Sequence, residues 1–149
     1  MSTVFTKIIG GEIPGRFVWA DDVCVVFATI APITDGHMLV VPREEVDQFT
    51  DASDELLAHL TVVAKTVGRA QRAVWDAPRA AVLVAGFEVP HLHIHVLPAW
   101  DEAALRFDNA RTDVTGEELD AAAEKVRVAL RAAGHGANVP TELGSPQLG

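Results

Sequence analysis

The chain has 149 residues, a length that predicts one domain with an ordinary hydrophobic core. A formal net charge of −9, with no basic stripe, argues against a generic nucleic-acid binder. No apolar run approaches the ~20 residues that a membrane-spanning helix needs, and the N-terminal residues do not resemble a secretory signal. The single cysteine, Cys24, cannot form an intramolecular disulfide and lies in an apolar run that predicts burial. We therefore expect a cytoplasmic protein without a membrane or nucleic-acid partner.

The first third of the chain predicts an antiparallel meander of three strands. Strand-like runs cover residues 16–20, 23–28 and 37–41. The pair Asp21-Asp22 predicts a turn after the first run, and residues 31–36, with their Pro and Gly, predict a loop before the third.

The middle of the chain predicts a helix followed by two paired strands. Apolar residues recur every three or four positions from Ser53 to Trp75, which predicts an amphipathic helix of about six turns. The nearly continuous apolar run from Ala80 to Ala85 predicts a central strand with both faces covered. Since the strand-like stretch VPHLHIHVLP, residues 89–98, follows after a short connection, we expect the two runs to pair as a hairpin.

A second long helix is predicted from Thr115 to Ala133, because Thr115 and Glu118 form a capping box and Gly134 can end the helix. Residues 135–149 are rich in Gly and Pro, so we expect them to be flexible or ordered only against a partner. The predicted architecture is one α+β domain over residues 1–134, with an antiparallel sheet of about five strands and two main helices.

The stretch VPHLHIHVLP places His91, His93 and His95 at alternate positions, three of the chain's six histidines. On a strand these side chains project from one face, while the apolar residues between them enter the core. A polar outer face is the plain interpretation of such alternation. Outer faces usually carry Thr, Lys, Glu or Ser, however, so three consecutive histidines point to chemistry.

Two kinds of chemistry suit a row of imidazoles. Imidazole is a common zinc ligand, but the outer two histidines of a straight strand lie ~13 Å apart at Cα. His91 and His93 could share a metal, although no Cys-x-x-Cys or His-x-x-Glu cluster offers further ligands. Alternatively, a neutral histidine can attack a phosphoryl group at pH 7 while its neighbours donate hydrogen bonds or a proton. The central His93 would then be the nucleophile.

The run HLHIHVL resembles the His-φ-His-φ-His-φ-φ signature of the histidine triad (HIT) superfamily, where φ is an apolar residue. FTKIIGGEIPGRFVWADD, residues 5–22, and FATIAPITDGHMLVVPREEV, residues 27–46, resemble the N-terminal half of the same proteins in order and spacing. The similarity covers about residues 4–100 and is strongest with the small nucleotide-binding branch of the superfamily. It implies the HIT-like α+β fold.

The resemblance also implies a nucleotide hydrolase or transferase that acts on nucleoside phosphoramidates or related adenylated compounds. His93 would form a covalent nucleotidyl-imidazole, His91 and His95 would assist phosphate and proton transfer, and His37 would support the triad from behind. The ligand would be a purine nucleotide or a conjugate of one, the protein would be a homodimer, and no cofactor would be needed. The implied nucleotide-binding residues are Phe5, Ile8, Phe27, Thr29, Ile30, Glu88 and Val89. A regulatory nucleotide-binding module with little turnover and a dinucleoside polyphosphate hydrolase stay open as alternatives.

The chain departs from the superfamily pattern at positions that carry ligands. Some members hold a structural zinc with two cysteines and a histidine at the places of Thr3, Thr6 and Glu45, so we expect no metal here. The acidic residue that usually binds the ribose hydroxyls is replaced by Thr29, which removes a charge-assisted pair of hydrogen bonds.

The loop before the triad and the segment after it also differ. The Gly-rich, Asn-containing loop is reduced to AGFEVP, residues 85–90, in which Phe87 and Glu88 stand where Gln and Ser or Thr are frequent. Glu88 would repel a phosphate unless it points away or acts on the leaving group, and we expect a salt-bridged surface residue. Trp100 is a candidate either for contact with the leaving group or for packing.

Overall fold

The computed structural model describes residues 2–149, which form a five-stranded sheet and three α-helices. The strands are β1 (Phe17–Ala20), β2 (Cys24–Ala28), β3 (Met38–Pro42), β4 (Arg79–Leu83) and β5 (Ile94–Ala99), and the helices are α1 (Val4–Ile9), α2 (Asp54–Trp75) and α3 (Gly116–Leu130). All neighbouring strands are antiparallel, in the order β1-β2-β3-β5-β4. The predicted α+β fold is therefore confirmed. Within the described residues, no helix is long and apolar enough to cross a membrane.

The predicted meander and hairpin are both present, but β4 is not a central strand. β4 pairs with β5 alone and forms one edge of the sheet. Its Val82 is 57% exposed, so the expectation that both faces of this strand are covered is wrong for the single chain. The connection from β4 to β5, residues 84–93, is also longer than a tight hairpin loop.

The two faces of the sheet are covered by different elements. α2 and α3 pack on one face, where the main core contains Val26 and Val40 of the sheet and Leu60 of α2. The other face carries a smaller cluster in which Phe5 of α1 meets Phe27 of β2. Because successive strand residues alternate between faces, β2 and β3 contribute to both clusters.

The helix ends follow the predicted capping signals. The Ser53 hydroxyl accepts a hydrogen bond from the Leu56 amide at the start of α2, and the Thr115 hydroxyl accepts one from the Glu118 amide at the start of α3. α3 ends at Leu130 and passes into a short π-helical segment, Arg131–His135. α1 is too short to show helical periodicity and is not predicted from the sequence, although its N-cap, Thr3, is a preferred capping residue.

The C-terminal segment, for which the sequence predicts flexibility or a partner, lies against its own chain. The Phe17 amide donates to the Leu143 carbonyl at 2.7 Å. The buried Arg127 of α3 donates to the carbonyl oxygens of Phe17 and Pro140, both at 2.8 Å, and Val139 is buried. A guanidinium has five donors in a fixed fork, so one side chain joins α3, β1 and the segment.

Candidate active site

The row of three histidines begins in irregular backbone and ends within β5. Strand β5 begins at Ile94, so His91 and His93 lie before it and His95 lies within it. The expectation of one continuous strand carrying all three is therefore wrong. The Leu92 amide donates to the Val46 carbonyl at 2.6 Å, which diverts the chain at this point. The alternation nevertheless persists, because Leu92 and Ile94 enter the main core.

The His91 ring is fully buried and uses both of its nitrogens within the protein. Nε2 lies 2.8 Å from the Pro42 carbonyl oxygen, to which it donates, and Nδ1 is hydrogen-bonded to the Thr3 hydroxyl at 2.6 Å. His91 is also absent from the lining of the adjacent cavity. The expected direct role of this ring in phosphate or proton transfer does not fit these contacts, because neither nitrogen is free to meet a substrate.

The His93 ring is held in the tautomer that a nucleophile requires. Its Nδ1 lies 2.7 Å from the carbonyl oxygen of His91, an acceptor, so Nδ1 carries the hydrogen. Nε2 of the neutral ring therefore keeps its lone pair, and the ring lines the cavity. The contribution of His91 to the site is thus its backbone carbonyl.

The His95 ring is held in the opposite tautomer through His37. The Ile33 amide donates to His37 Nδ1 at 3.1 Å, so His37 carries its hydrogen on Nε2. This Nε2 donates to His95 Nδ1 at 2.9 Å. The neutral His95 ring consequently carries its hydrogen on Nε2 and is a donor there, whereas Nε2 of His93 is an acceptor. The rings of His93 and His95 are 4.8 Å apart between centroids.

Burial keeps the imidazoles of His37, His93 and His95 neutral near pH 7. Desolvation, followed by the effect of His95 and His93, lowers the pKa of His37 to about 3. Desolvation, followed by the effect of His93, lowers the pKa of His95 to about 4. The pKa of His93 is also lowered, because its burial outweighs the opposing hydrogen bond to the His91 carbonyl and the charge of Glu88.

A cavity of about 530 Å³ opens beside His93 and His95. Phe5 forms its inner wall and lies 4.9 Å from the His93 ring and 5.5 Å from the Phe27 ring, centroid to centroid, in edge-on contacts. The cavity includes every residue that the sequence predicts to bind a nucleotide, namely Phe5, Ile8, Phe27, Thr29, Ile30, Glu88 and Val89. An apolar pocket next to an imidazole pair suits a flat, partly apolar ligand with a charged end.

The rim of the cavity contains an aromatic residue that the sequence does not single out. Phe107 lies in a short 3-10 turn, Phe107–Asn109, with its ring 4.8 Å from that of His95. Phe87, which is 97% exposed, also lines the rim. Trp100, the candidate for contact with the leaving group or for packing, is half-exposed and does not line the cavity, whereas Phe107 does.

Glu88 and Thr29 bear on charge and on ribose binding. Glu88 is exposed at the cavity and has no ion-pair partner within 4.0 Å among the described residues, so the expected surface salt bridge is wrong. The Thr29 hydroxyl accepts from the Ala31 amide at 3.2 Å, which leaves its hydrogen available for one bond to a ligand.

The positions that hold zinc in some superfamily members form a hydrogen-bonded network here. The Thr6 hydroxyl and the Thr3 amide both donate to the Glu45 carboxylate, at 2.6 and 3.0 Å. The hydrogen bond from Thr6, then that from Thr3, lowers the pKa of Glu45. Two hydroxyls, a carboxylate and an imidazole that bond to one another do not match the thiolate and imidazole donors of structural zinc. The network joins α1, and thus Phe5, to His91.

A model of the HIT domain matches residues 10–102, which is more than half of the chain. The chain therefore belongs to the HIT family, whose signature the triad carries. A relative described as an uncharacterized HIT-like protein of Methanocaldococcus jannaschii is 36% identical over 102 residues, covering 66% of this chain and 79% of that protein.

Solved structures agree with this assignment. A zinc-bound histidine triad family protein from Mycobacterium smegmatis superposes with a TM-score of 0.77 at 26% identity, covering 90% of this chain and 96% of that one. A hypothetical histidine triad nucleotide-binding protein from Sulfolobus tokodaii superposes with a TM-score of 0.75 at 25% identity, covering 87% and 92% of the two chains. Both structures thus share the fold of this HIT-family chain.

The neutral His37 and His95 predict a loss of stability in mild acid. An unfolded histidine takes up a proton near pH 6.5, whereas these two stay neutral in the folded protein down to about pH 3 and pH 4. Below pH 6.5 the unfolded chain therefore binds more protons, so the free energy of unfolding falls as the pH falls. The free energy of unfolding, measured with urea between pH 6.5 and 4.5, should show this dependence on pH. In His37→Gln its slope should correspond to about one fewer proton taken up on unfolding. Equal slopes for the two proteins would contradict the assignment of His37 as a buried neutral base.

Proposed function

We propose that the protein is a nucleotide hydrolase or transferase that acts on nucleoside phosphoramidates or related adenylated compounds through a covalent bond to His93. The opposite tautomers of two neighbouring imidazoles support the proposal most directly. His93 has an acceptor Nε2 and the neighbouring His95 ring has a donor Nε2, and both rings line a cavity with apolar walls. Attack and hydrogen-bond donation then come from neighbouring rings without any rearrangement of protons.

In the first step, His93 Nε2 bonds to the α-phosphorus of the nucleotide while the bond from phosphorus to the leaving nitrogen or oxygen breaks. His95 Nε2–H donates a hydrogen bond to the leaving atom or to a nonbridging oxygen. If the leaving group is an amine, it takes a proton from the solvent, which reaches the site beside the partly exposed His95. A carboxylate or phosphate leaving group departs as the anion. The His91 carbonyl, bonded to Nδ1–H, stabilises the positive charge that develops on the His93 ring.

In the second step, water attacks phosphorus, the bond to His93 Nε2 breaks, and a nucleoside monophosphate with its ionised oxygen leaves. The water proton passes to solvent and the neutral His93 is restored. Phe5 and Phe27 would hold a purine at the inner wall, and AMP is the expected product. The Thr29 hydroxyl would bind one ribose oxygen at the position where other members have a carboxylate. We therefore expect the protein to select for the ribose hydroxyls less strongly than a charged residue would.

Replacement of His93 tests this mechanism. On an adenosine phosphoramidate with a fluorogenic amine, wild type should turn over, and His93→Ala should lose ~10³-fold or more in kcat/KM because the attacking atom is gone. His135→Gln is a matched control, since His135 lies against Trp19 and outside the cavity.

A dinucleoside polyphosphate tested in the same assay decides between the two hydrolase activities. Tight binding of AMP by wild type without turnover of either substrate would identify a regulatory nucleotide-binding module and would reject the enzyme.

We further propose that two copies of the chain associate through the β4 edge. A groove of about 650 Å³ runs between α2 and β4 and contains no histidine. The exposed Val82 and Val84 line it, and β4 leaves one row of backbone groups without a strand partner. An apolar unpaired edge favours pairing with a second chain.

A charge at this edge should prevent the association. Val82 of β4 and Val128 of α3 are almost equally exposed, at 57% and 56%. In sedimentation velocity at micromolar concentration, wild type and Val128→Lys should be dimers and Val82→Lys should be a monomer. A dimeric Val82→Lys protein, or a monomeric wild type, would contradict the proposed interface.

A further inference from the structure

A second cluster of polar side chains lies at the turn between β1 and β2, outside the cavity. Asp21 and Cys24 flank this turn, and His59 reaches it from α2. One ligand atom from each residue lies within 4.8 Å of the other two. In the described part of the chain this is the one group of three or more histidine, cysteine or acidic residues that meets this spacing.

The Asp21 carboxylate at the centre of this cluster is oriented by fixed donors. Its Oδ1 accepts from the backbone amides of Val23 and Cys24, both at 2.8 Å. Its Oδ2 accepts from the Trp19 indole at 2.9 Å. These bonds leave one face of Oδ2 for the two remaining donors, the His59 ring and the Cys24 thiol. A carboxylate held by outer hydrogen bonds is a feature of metal ligands as well as of structural turns.

The remaining two donors point their hydrogens at the same oxygen. His59 Nε2 lies 2.8 Å from Asp21 Oδ2, and Cys24 Sγ lies 3.6 Å from it. A tetrahedral zinc ion with Zn–S of ~2.3 Å and Zn–N and Zn–O of ~2.0 Å places its ligand atoms roughly 3.3–3.5 Å apart. The sulfur and oxygen already have about this separation. His59, whose side chain is 39% exposed, has the freedom to adjust.

The Asp21 carboxylate supplies the negative charge of the cluster. Burial opposes ionisation of Asp21, but the hydrogen bonds from Trp19, Cys24 and His59 lower its pKa overall.

We propose that Asp21 Oδ2, Cys24 Sγ and His59 Nε2 form a zinc site that connects the β1–β2 turn to α2, separate from the triad. One zinc ion replaces the thiol hydrogen of Cys24 and releases it as one proton. The hydrogen of His59 moves from Nε2 to Nδ1, and the lone pair freed on Nε2 binds the metal. The Trp19 indole remains bonded to the metal-bound oxygen.

Cobalt binding to the full-length, chelator-treated protein tests this site. Cys24 is the single cysteine of the chain, so a sulfur-to-cobalt charge-transfer band can arise at this cluster alone. We expect one equivalent of Co²⁺ to produce the band and zinc to abolish it by competition.

Two histidine variants locate the ligand set. His59→Gln should weaken the affinity for cobalt at least ~10-fold, since loss of a ligand should cost no less affinity than loss of a residue that hydrogen-bonds to a ligand. His93→Gln should leave the titration unchanged, because the triad takes no part. Thermal unfolding of each variant checks that it is folded. A saturating titration without the band, or equal affinity in wild type and His59→Gln, would overturn the proposal.

Discussion

The hydrogen bond from His93 Nδ1 to the carbonyl oxygen of His91, at 2.7 Å, decides which atom of the central imidazole faces the cavity. A backbone carbonyl can only accept, so the ring must present Nε2 with a free lone pair. This arrangement requires the His91 backbone to turn before β5 begins, and the bond from the Leu92 amide to Val46 holds that turn. The buried His91 ring, bonded to Thr3 and Pro42, then keeps the carbonyl in place.

A backbone group also sets the tautomer of His95, but here the group is a donor. A backbone amide can only donate, so Ile33 fixes His37, and His37 fixes His95 as a donor. The pair thus receives complementary tautomers from two backbone groups, one a carbonyl and one an amide. Burial of uncharged imidazoles lowers stability in mild acid, but it keeps a nucleophile and a hydrogen-bond donor available at neutral pH.

Much of the fold is predictable from local pattern, because strand alternation, helical periodicity and capping residues depend on near neighbours. The histidine row and its apolar partners follow from a period of two. The strand β4 shows the limit of such reasoning: an apolar run predicts covered faces but does not say whether the same chain or a second one covers them. The short α1 contains too few residues for a periodic signal.

The parts of the site that the sequence does not predict depend on contacts between distant residues. His91 lies 88 positions from Thr3 in the sequence, and the hydrogen bond between them helps to hold its buried ring in place. Phe107 reaches His95 from a 3-10 turn that has no periodic pattern. His59 meets Asp21 across 38 positions, so the cluster at the β1–β2 turn becomes visible once α2 lies on the sheet.

The assignment of opposite tautomers to His93 and His95 is the central claim, and long-range ¹⁵N–¹H correlation spectra of the ligand-free protein at pH 7 test it most directly. Such spectra distinguish protonated from unprotonated ring nitrogens. We predict that His93 carries its hydrogen on Nδ1 and His95 on Nε2, with both rings neutral. A His93 ring protonated on Nε2, or an imidazolium at either position, would contradict the account.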